Sequence, residues 1–161
     1  MTALKLVHPA PAFPPGVPRG VLGADEQVIP WVERHLDLPE GHFKGAMAIG
    51  IALDGHPIAG VIYQYHKHWQ TGLVTVEQSI ATISPRWCTR PILFSIFNYP
   101  FTHLKAQRLQ VACRKSNTKA RNLVERLGFK MEGVARRGWD GKQNAVVYSM
   151  LPDECRWIRK A

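Results

Sequence analysis

Residues 117–133 read Asn117-Thr118-Lys119-Ala120-Arg121-Asn122-Leu123-Val124-Glu125-Arg126-Leu127-Gly128-Phe129-Lys130-Met131-Glu132-Gly133. Ala120, Leu123, Val124 and Leu127 stand at i, i+3, i+4 and i+7, which puts them on one face of a helix. Asn117 is a capping residue type, and Gly128 supplies the left-handed conformation in which helices commonly end. The spacing predicts a helix that opens after Asn117 and stops at Gly128.

Working outward, Gln107 to Arg114 reads as a strand before this helix. Phe129–Arg136 and Asn144–Leu151 read as a closing hairpin around a Trp139-Asp140-Gly141 turn. Upstream, Thr89 before Pro91 is a helix opening, with Leu93, Ile96 and Phe97 on one face until Pro100. The apolar runs 45–53 and 57–66 flank Asp54-Gly55, a strong hairpin signal, and 73–84 is rich in β-branched residues, so a three-stranded meander is expected. Asp25 to Leu38 places Ile29, Val32 and Leu36 at helical spacing, with Pro30 tolerable only in a first turn. Residues 8–23 carry five prolines and three glycines and read as an extended arm, preceded by a short strand at Leu4 to Val7. The resulting order, β, α, three β, α, β, α, β, β, indicates an α/β fold with a mixed sheet and helices on both faces.

The chain has 161 residues, 45% apolar and 20% charged, which suits one domain. No run approaches the roughly 20 apolar residues of a bilayer span, and no secretory signal is evident, so a soluble cytoplasmic protein with no membrane partner is expected. Three widely spaced cysteines, Cys88, Cys113 and Cys155, fit neither a disulfide framework nor a zinc ligand set. The net charge is +9, and residues 114–142 hold nine basic and three acidic side chains. Such a face attracts anions, or is simply a solvated basic surface.

The element order, together with 117–133, resembles the GNAT acetyltransferase family, whose pattern there is Asn-x-x-(Ser/Ala)-x-x-Leu-x-x-x-Leu-Gly-Phe-x-x-Glu-Gly. The tail from Asn144 to Leu151 is similar to the last strand of the branch that acetylates protein N-termini, ribosomal proteins included. The resemblance spans roughly residues 25–152 and implies an acetyltransferase domain over 25–161, with 1–24 as the proline-rich arm. It also implies acetyl-CoA as co-substrate. The coenzyme's pantetheine arm would run along the backbone of Ile80, Ala81, Thr82 and Ile83, and its pyrophosphate would meet the helix opening at Thr89 or Arg90. The family's phosphate loop, (Gln/Arg)-x-x-Gly-x-(Gly/Ala), aligns here with Cys88, Pro91 and Leu93, so both small residues are missing. Arg86 and Arg90 are the residues that compensate, or else surface arginines beside a degenerate loop.

Glu77 stands where the histone-acetylating branch carries its glutamate base, and it is the only acidic residue between Gly55 and Ala120. It is a candidate general base, since an amine attacks a thioester only when unprotonated; the alternative is a carboxylate facing solvent or an arginine. The tyrosine that many members place four residues before the helix-ending glycine is Val124 here. That leaves Tyr148, water or no acid for the leaving thiolate, and Tyr148 reads equally as a sheet tyrosine with a satisfied hydroxyl. Asn117 is implied as a coenzyme contact as well as a cap. Arg121 has the offset to reach the coenzyme's phosphates, Ser116 being a weaker neighbour. His66-Lys67-His68-Trp69 reads as an exposed turn at the acceptor entrance in preference to a metal site. Cys88, near a helix N-terminus, is either a thiol of depressed pKa or a loop residue.

Two functions follow. The first is an N-acetyltransferase moving acetyl from acetyl-CoA to a primary amine by direct attack in a ternary complex. Its acceptor is open among protein, peptide, small molecule and nucleic acid, and a homodimer is left open. The second is a protein of the same fold that binds nucleic acid through the basic 114–142 face, its coenzyme site weakened or lost.

Overall fold

The computed structural model describes residues 14–159. In chain order the elements are β1 (Arg19–Val21), α1 (Asp25–His35), β2 (Met47–Leu53), β3 (His56–Lys67), β4 (Val74–Thr82), a 3-10 turn (Pro85–Trp87), α2 (Arg90–Asn98), a π turn (Tyr99–His103), β5 (Arg108–Arg114), α3 (Thr118–Leu127), β6 (Lys130–Ala135), β7 (Ala145–Met150) and a 3-10 turn (Pro152–Glu154). Hydrogen-bonded neighbours run β1-β2-β3-β4-β5-β7-β6, a mixed seven-stranded sheet flanked by helices. β4 and β5 are parallel, whereas β1–β2, β2–β3, β5–β7 and β6–β7 are antiparallel. From α1 onward, the α/β order expected from the sequence is the order found. The chain groups into two compact units, one holding residues up to Gln64 with Ser79–Ile96, the other Tyr65–Gln78 with everything from Phe97.

In the first unit, Asp54 and Gly55 both have positive φ, 48° and 81°, as a two-residue type I′ turn between antiparallel strands requires. The expected strand at Leu4–Val7 lies outside the described residues. A three-residue strand, β1, forms within the proline-rich stretch and pairs with β2 from Arg19↔Ala52 to Val21↔Gly50. An edge strand can accept such a sequence because one of its sides needs no ladder donors.

Helix α1 departs from expectation in two ways. Its core face is Val28, Trp31, Val32 and Glu33, while Leu36 lies beyond the helix and is exposed. Pro30 sits inside the helix, not in its first turn. Proline there removes only the bond to the carbonyl of exposed Glu26, and the burial of Val28 and Val32 in a cluster with Phe43, Ala48, Ile62 and Ala81 outweighs that single loss. The helix approaches the sheet over two glycines paired across β2 and β3, Gly50 and Gly60. A Cβ on Gly60 would stand 2.5 Å from Val32 Cγ2, and one on Gly50 2.9 Å from Val28 Cγ2. Gly60→Ala is expected to cost about 1–3 kcal/mol through overpacking, read as a lower urea midpoint with an unchanged slope. Buried Glu33 closes the loop after α1 by accepting the N–H groups of Phe43 at 2.8 Å and Gly41 at 3.1 Å.

In the second unit, β7 lies between β5 and β6, registered Val111↔Tyr148 on one side and Met131↔Tyr148 on the other, with a bulge between Met131 and Gly133. Helix α3 follows its predicted bounds. Asn117 Oδ1 accepts the Ala120 N–H at 3.1 Å, Gly128 adopts φ 106°, and Val124 and Leu127 are buried. Its C-terminal carbonyls are capped by the chain's tail: Trp157 Nε1 donates to Leu127 O at 2.8 Å and Arg156 donates to Arg126 O. α2 ends at Asn98, just before Pro100, as the sequence predicts. The chain passes through a π turn in which the Leu104 N–H reaches back to Tyr99 O, a wider ring that accommodates the proline.

Candidate functional site

On β4 the burial pattern alternates: Val74, Val76 and Gln78 are buried, and Thr75 and Glu77 half-buried on the opposite face. Parallel pairing with β5 runs Thr75↔Arg108, Val76↔Leu109 and ends at Glu77↔Gln110. Glu77 is thus a carboxylate on the polar face of a sheet, at the last rung of a parallel ladder. Burial pushes its pKa above the usual carboxylate value. It has no ion-pair partner among the described residues. The arginine two positions before its strand partner, Arg108, donates to Glu132 at 3.1 Å and holds that carboxyl below its ordinary range.

The backbone of β4 continues this geometry. The Val74 carbonyl accepts from the Gln107 N–H in the second unit, and the Ile83 N–H donates to Ile58 O at 2.9 Å in the first. Of the four residues expected to meet the pantetheine arm, Ile80 is half-buried and Thr82 exposed. Ala81 is buried in the core, and Ile83 is committed to β3, with its side chain 50% exposed.

The loop that follows is built by local bonds. The Thr82 hydroxyl donates to Ser84 O at 2.9 Å, Ser84 Oγ accepts the Arg86 N–H at 3.3 Å, and the N–H groups of Cys88 and Thr89 are used by Pro85 O and Trp87 O. Trp87 is buried and anchors the turn, which lies against β2. α2 then opens at Arg90, with Thr89 O accepting the Leu93 N–H and no acidic residue in the first turn. The first-turn amides of a helix have no intrahelical partner, and the macrodipole favours an anion beside them. Leu93 is buried, so the leucine aligned with the family's small residue points into the core and does not crowd the loop. Pro91 and Arg90 are exposed. The Arg86 guanidinium donates to Gly16 O at 2.9 Å, and the Gly16 N–H donates to Asp54 at 2.8 Å, a link from the arm that local sequence did not signal. The Cys88 thiol is pushed up by desolvation, so the depressed pKa considered from its place near a helix start is not found.

In the second unit Tyr148 is fully buried. Its hydroxyl donates to Glu125 Oε1 at 3.0 Å and accepts from Arg121 Nε at 3.0 Å, while Arg121 Nη1 donates to Lys115 O at 3.1 Å. Burial is the main cause raising its pKa. Arg121 is pinned by these bonds, and Asn117 spends its Oδ1 on the cap. Glu125 was not singled out from the sequence, although its place one turn after Arg121 on α3 is the signal that pairs them. Beyond them Arg114, Lys115, Ser116, Arg121, Gln143 and Asn144 line an open cleft of about 360 Å3. His68 is a turn residue whose Nδ1 accepts the Thr71 N–H, and it stacks on exposed Trp69.

No protein-family model and no curated protein matches the chain. Solved structures do. An acetyltransferase of the GNAT family from Streptococcus pneumoniae is 15% identical with a TM-score of 0.61, over 84% of this chain and 98% of that one. The ribosomal-protein-S5-alanine acetyltransferase of Vibrio fischeri is 18% identical with a TM-score of 0.56, over 78% and 73%. RimJ of Mycobacterium smegmatis, solved in complex with CoA-disulfide, is 20% identical with a TM-score of 0.55, over 68% of this chain and 54% of that one, so the match spans about half of RimJ. The chain has the fold of the GNAT acetyltransferases.

Proposed function

We propose that, on this fold, the chain is an acetyl-CoA-dependent N-acetyltransferase that moves the acetyl group to a primary amine by direct attack in a ternary complex. The observation that carries the proposal is Glu77: a half-buried carboxylate without an ion-pair partner among the described residues, its pKa raised by burial, on the strand that leads into the 80–83 backbone and the anion-ready opening of α2.

The residues at that opening suit an anionic thioester carrier. Arg86 and Arg90 supply charge, the first turn of α2 supplies the amides that remain to it beside Pro91, which has no N–H, and the backbone of Ile80 and Thr82 is the run along which an amide-bearing arm would lie. Cys88 and Thr89 shape the turn. In the reaction the amine nitrogen attacks the thioester carbonyl, Glu77 takes the proton the amine loses, the C–S bond breaks, and the departing thiolate takes a proton from water. Tyr148 serves as a positioning residue that holds Arg121 and Glu125, because its own proton is directed at Glu125.

Titration calorimetry with acetyl-CoA at low salt, coupled to thiol release in the presence of an amine, tests the proposal. Saturable binding and amine-dependent thiol release are expected. No heat with the coenzyme at millimolar concentration would overturn it.

A further inference from the structure

We infer that the open cleft at the C-terminal end of β5 seats an oxyanion carried by the amine acceptor, a carboxylate or phosphate at the end remote from the reacting nitrogen. The word acceptor rests on the transferase proposal; the oxyanion site does not.

The cleft is lined by donors. Arg114, the last residue of β5, holds its guanidinium over the exposed Trp139 ring, 5.9 Å from the centroid. Arg121 is fixed by Tyr148 and Lys115 O, so a cation is already in place and little side-chain freedom is lost on binding. The Asn144 side chain accepts the Arg137 N–H through Oδ1, which turns its NH2 group away from that bond, and its backbone O accepts the Lys115 N–H. Among the described residues no carboxylate lines the cleft. Of the nearby acids, Glu125 is engaged by the Tyr148 hydroxyl, and Asp140 is held by its own loop, accepting from the N–H groups of Lys142 and Gln143 and from Gln143 Nε2 at 2.9, 2.7 and 2.9 Å. Three cations and an amide donor around one opening make an anion site of the size small ligands occupy.

Its place in the second unit points to the acceptor. Glu77 is registered with Gln110, and paired residues of neighbouring strands share a face. Gln110 and Arg114, four residues apart on β5, share that face too, about 13 Å apart along the strand. Arg121, bonded to Tyr148 opposite Val111, stands toward the other face, so Arg114 is the cation that joins the cleft to the Glu77 face, and a short amine anchored by its oxyanion at Arg114 extends its nitrogen toward Glu77. The cations also favour the neutral form of a bound amine, the form that attacks.

The test uses the full chain at low salt. Calorimetry compares 6-aminohexanoate, 6-aminohexyl phosphate and hexylamine on the wild type, Arg114→Gln and Arg114→Lys, and acetyl transfer from acetyl-CoA is followed with the same amines. At least one oxyanion amine is expected to bind about tenfold or more tighter than hexylamine, with Arg114→Gln abolishing that preference, Arg114→Lys recovering part of it, and acetyl-CoA affinity unmoved. The stronger of the two amines distinguishes carboxylate from phosphate. Equal binding of all three amines overturns the inference, as does an Arg114→Gln effect on acetyl-CoA instead of the amine, which would give the cleft to the coenzyme. Oxyanion-selective binding with no acetyl transfer to any amine leaves the anion site standing and removes the transferase proposal; transfer without charge preference does the reverse.

Discussion

Glu77→Gln is expected to lower kcat by about a hundredfold to ten-thousandfold while acetyl-CoA affinity changes less than about twofold, because a positioned general base contributes on that scale and the glutamine keeps the shape of the side chain. The pH profile carries the sharper test. Burial raises the carboxyl's pKa above its ordinary value, and a base works only when deprotonated, so kcat/KM of the wild type rises with pH through that raised pKa. The limb is absent in the glutamine variant. An unchanged profile in Glu77→Gln would remove Glu77 from the mechanism.

Stability runs in the opposite direction. A carboxyl whose folded pKa lies above its unfolded value favours folding while protonated, and that contribution is lost as pH rises from the unfolded through the folded pKa. Above this window the wild type carries a desolvated charge that Glu77→Gln does not. The variant should therefore unfold at an equal or higher denaturant midpoint near neutral pH, though it turns over far more slowly. A loss of activity with a matching loss of stability would point to damaged packing instead.

What the sequence made legible was local and periodic. Helix α3 could be bounded because an apolar stripe, an asparagine cap and a left-handed glycine all agree over residues 117–128, and the β2–β3 hairpin because Asp54-Gly55 suits only a narrow set of turns. One proline misled where packing overrode it. Pro30 sits inside α1 since one lost hydrogen bond is smaller than the burial of Val28 and Val32, whereas Pro100 does follow the end of α2. Side-chain direction was hidden as well: aligning Leu93 with a small residue of the family's loop could not reveal that the leucine points into the core. Long-range partners were invisible for the same reason. Arg86 meets Gly16 across 70 positions and Tyr148 meets Glu125 across 23, and no local period encodes either bond.

The second large effect concerns the loop that stands where the family has glycines. Here its conformation rests on a buried indole and short-range bonds: Trp87 is 2% exposed, the turn it belongs to is capped by Ser84, and the amides of Cys88 and Thr89 are already used inside the turn. Glycines would permit close approach by the absence of side chains; a tryptophan anchor instead fixes where Arg86 and Arg90 project. Trp87→Ala removes the anchor and leaves a cavity, at a cost of about 3–5 kcal/mol, which corresponds to a Tm lower by roughly 6–20 °C for a chain of this size. Trp87→Phe, which keeps most of the volume, should lose much less. If the anchored loop positions the coenzyme's phosphates, the KM for acetyl-CoA rises in Trp87→Ala measured well below its own Tm, with little change in the KM for the amine. A variant that loses the expected stability yet keeps its acetyl-CoA KM would show that the loop's order is structural and that the anion is held elsewhere.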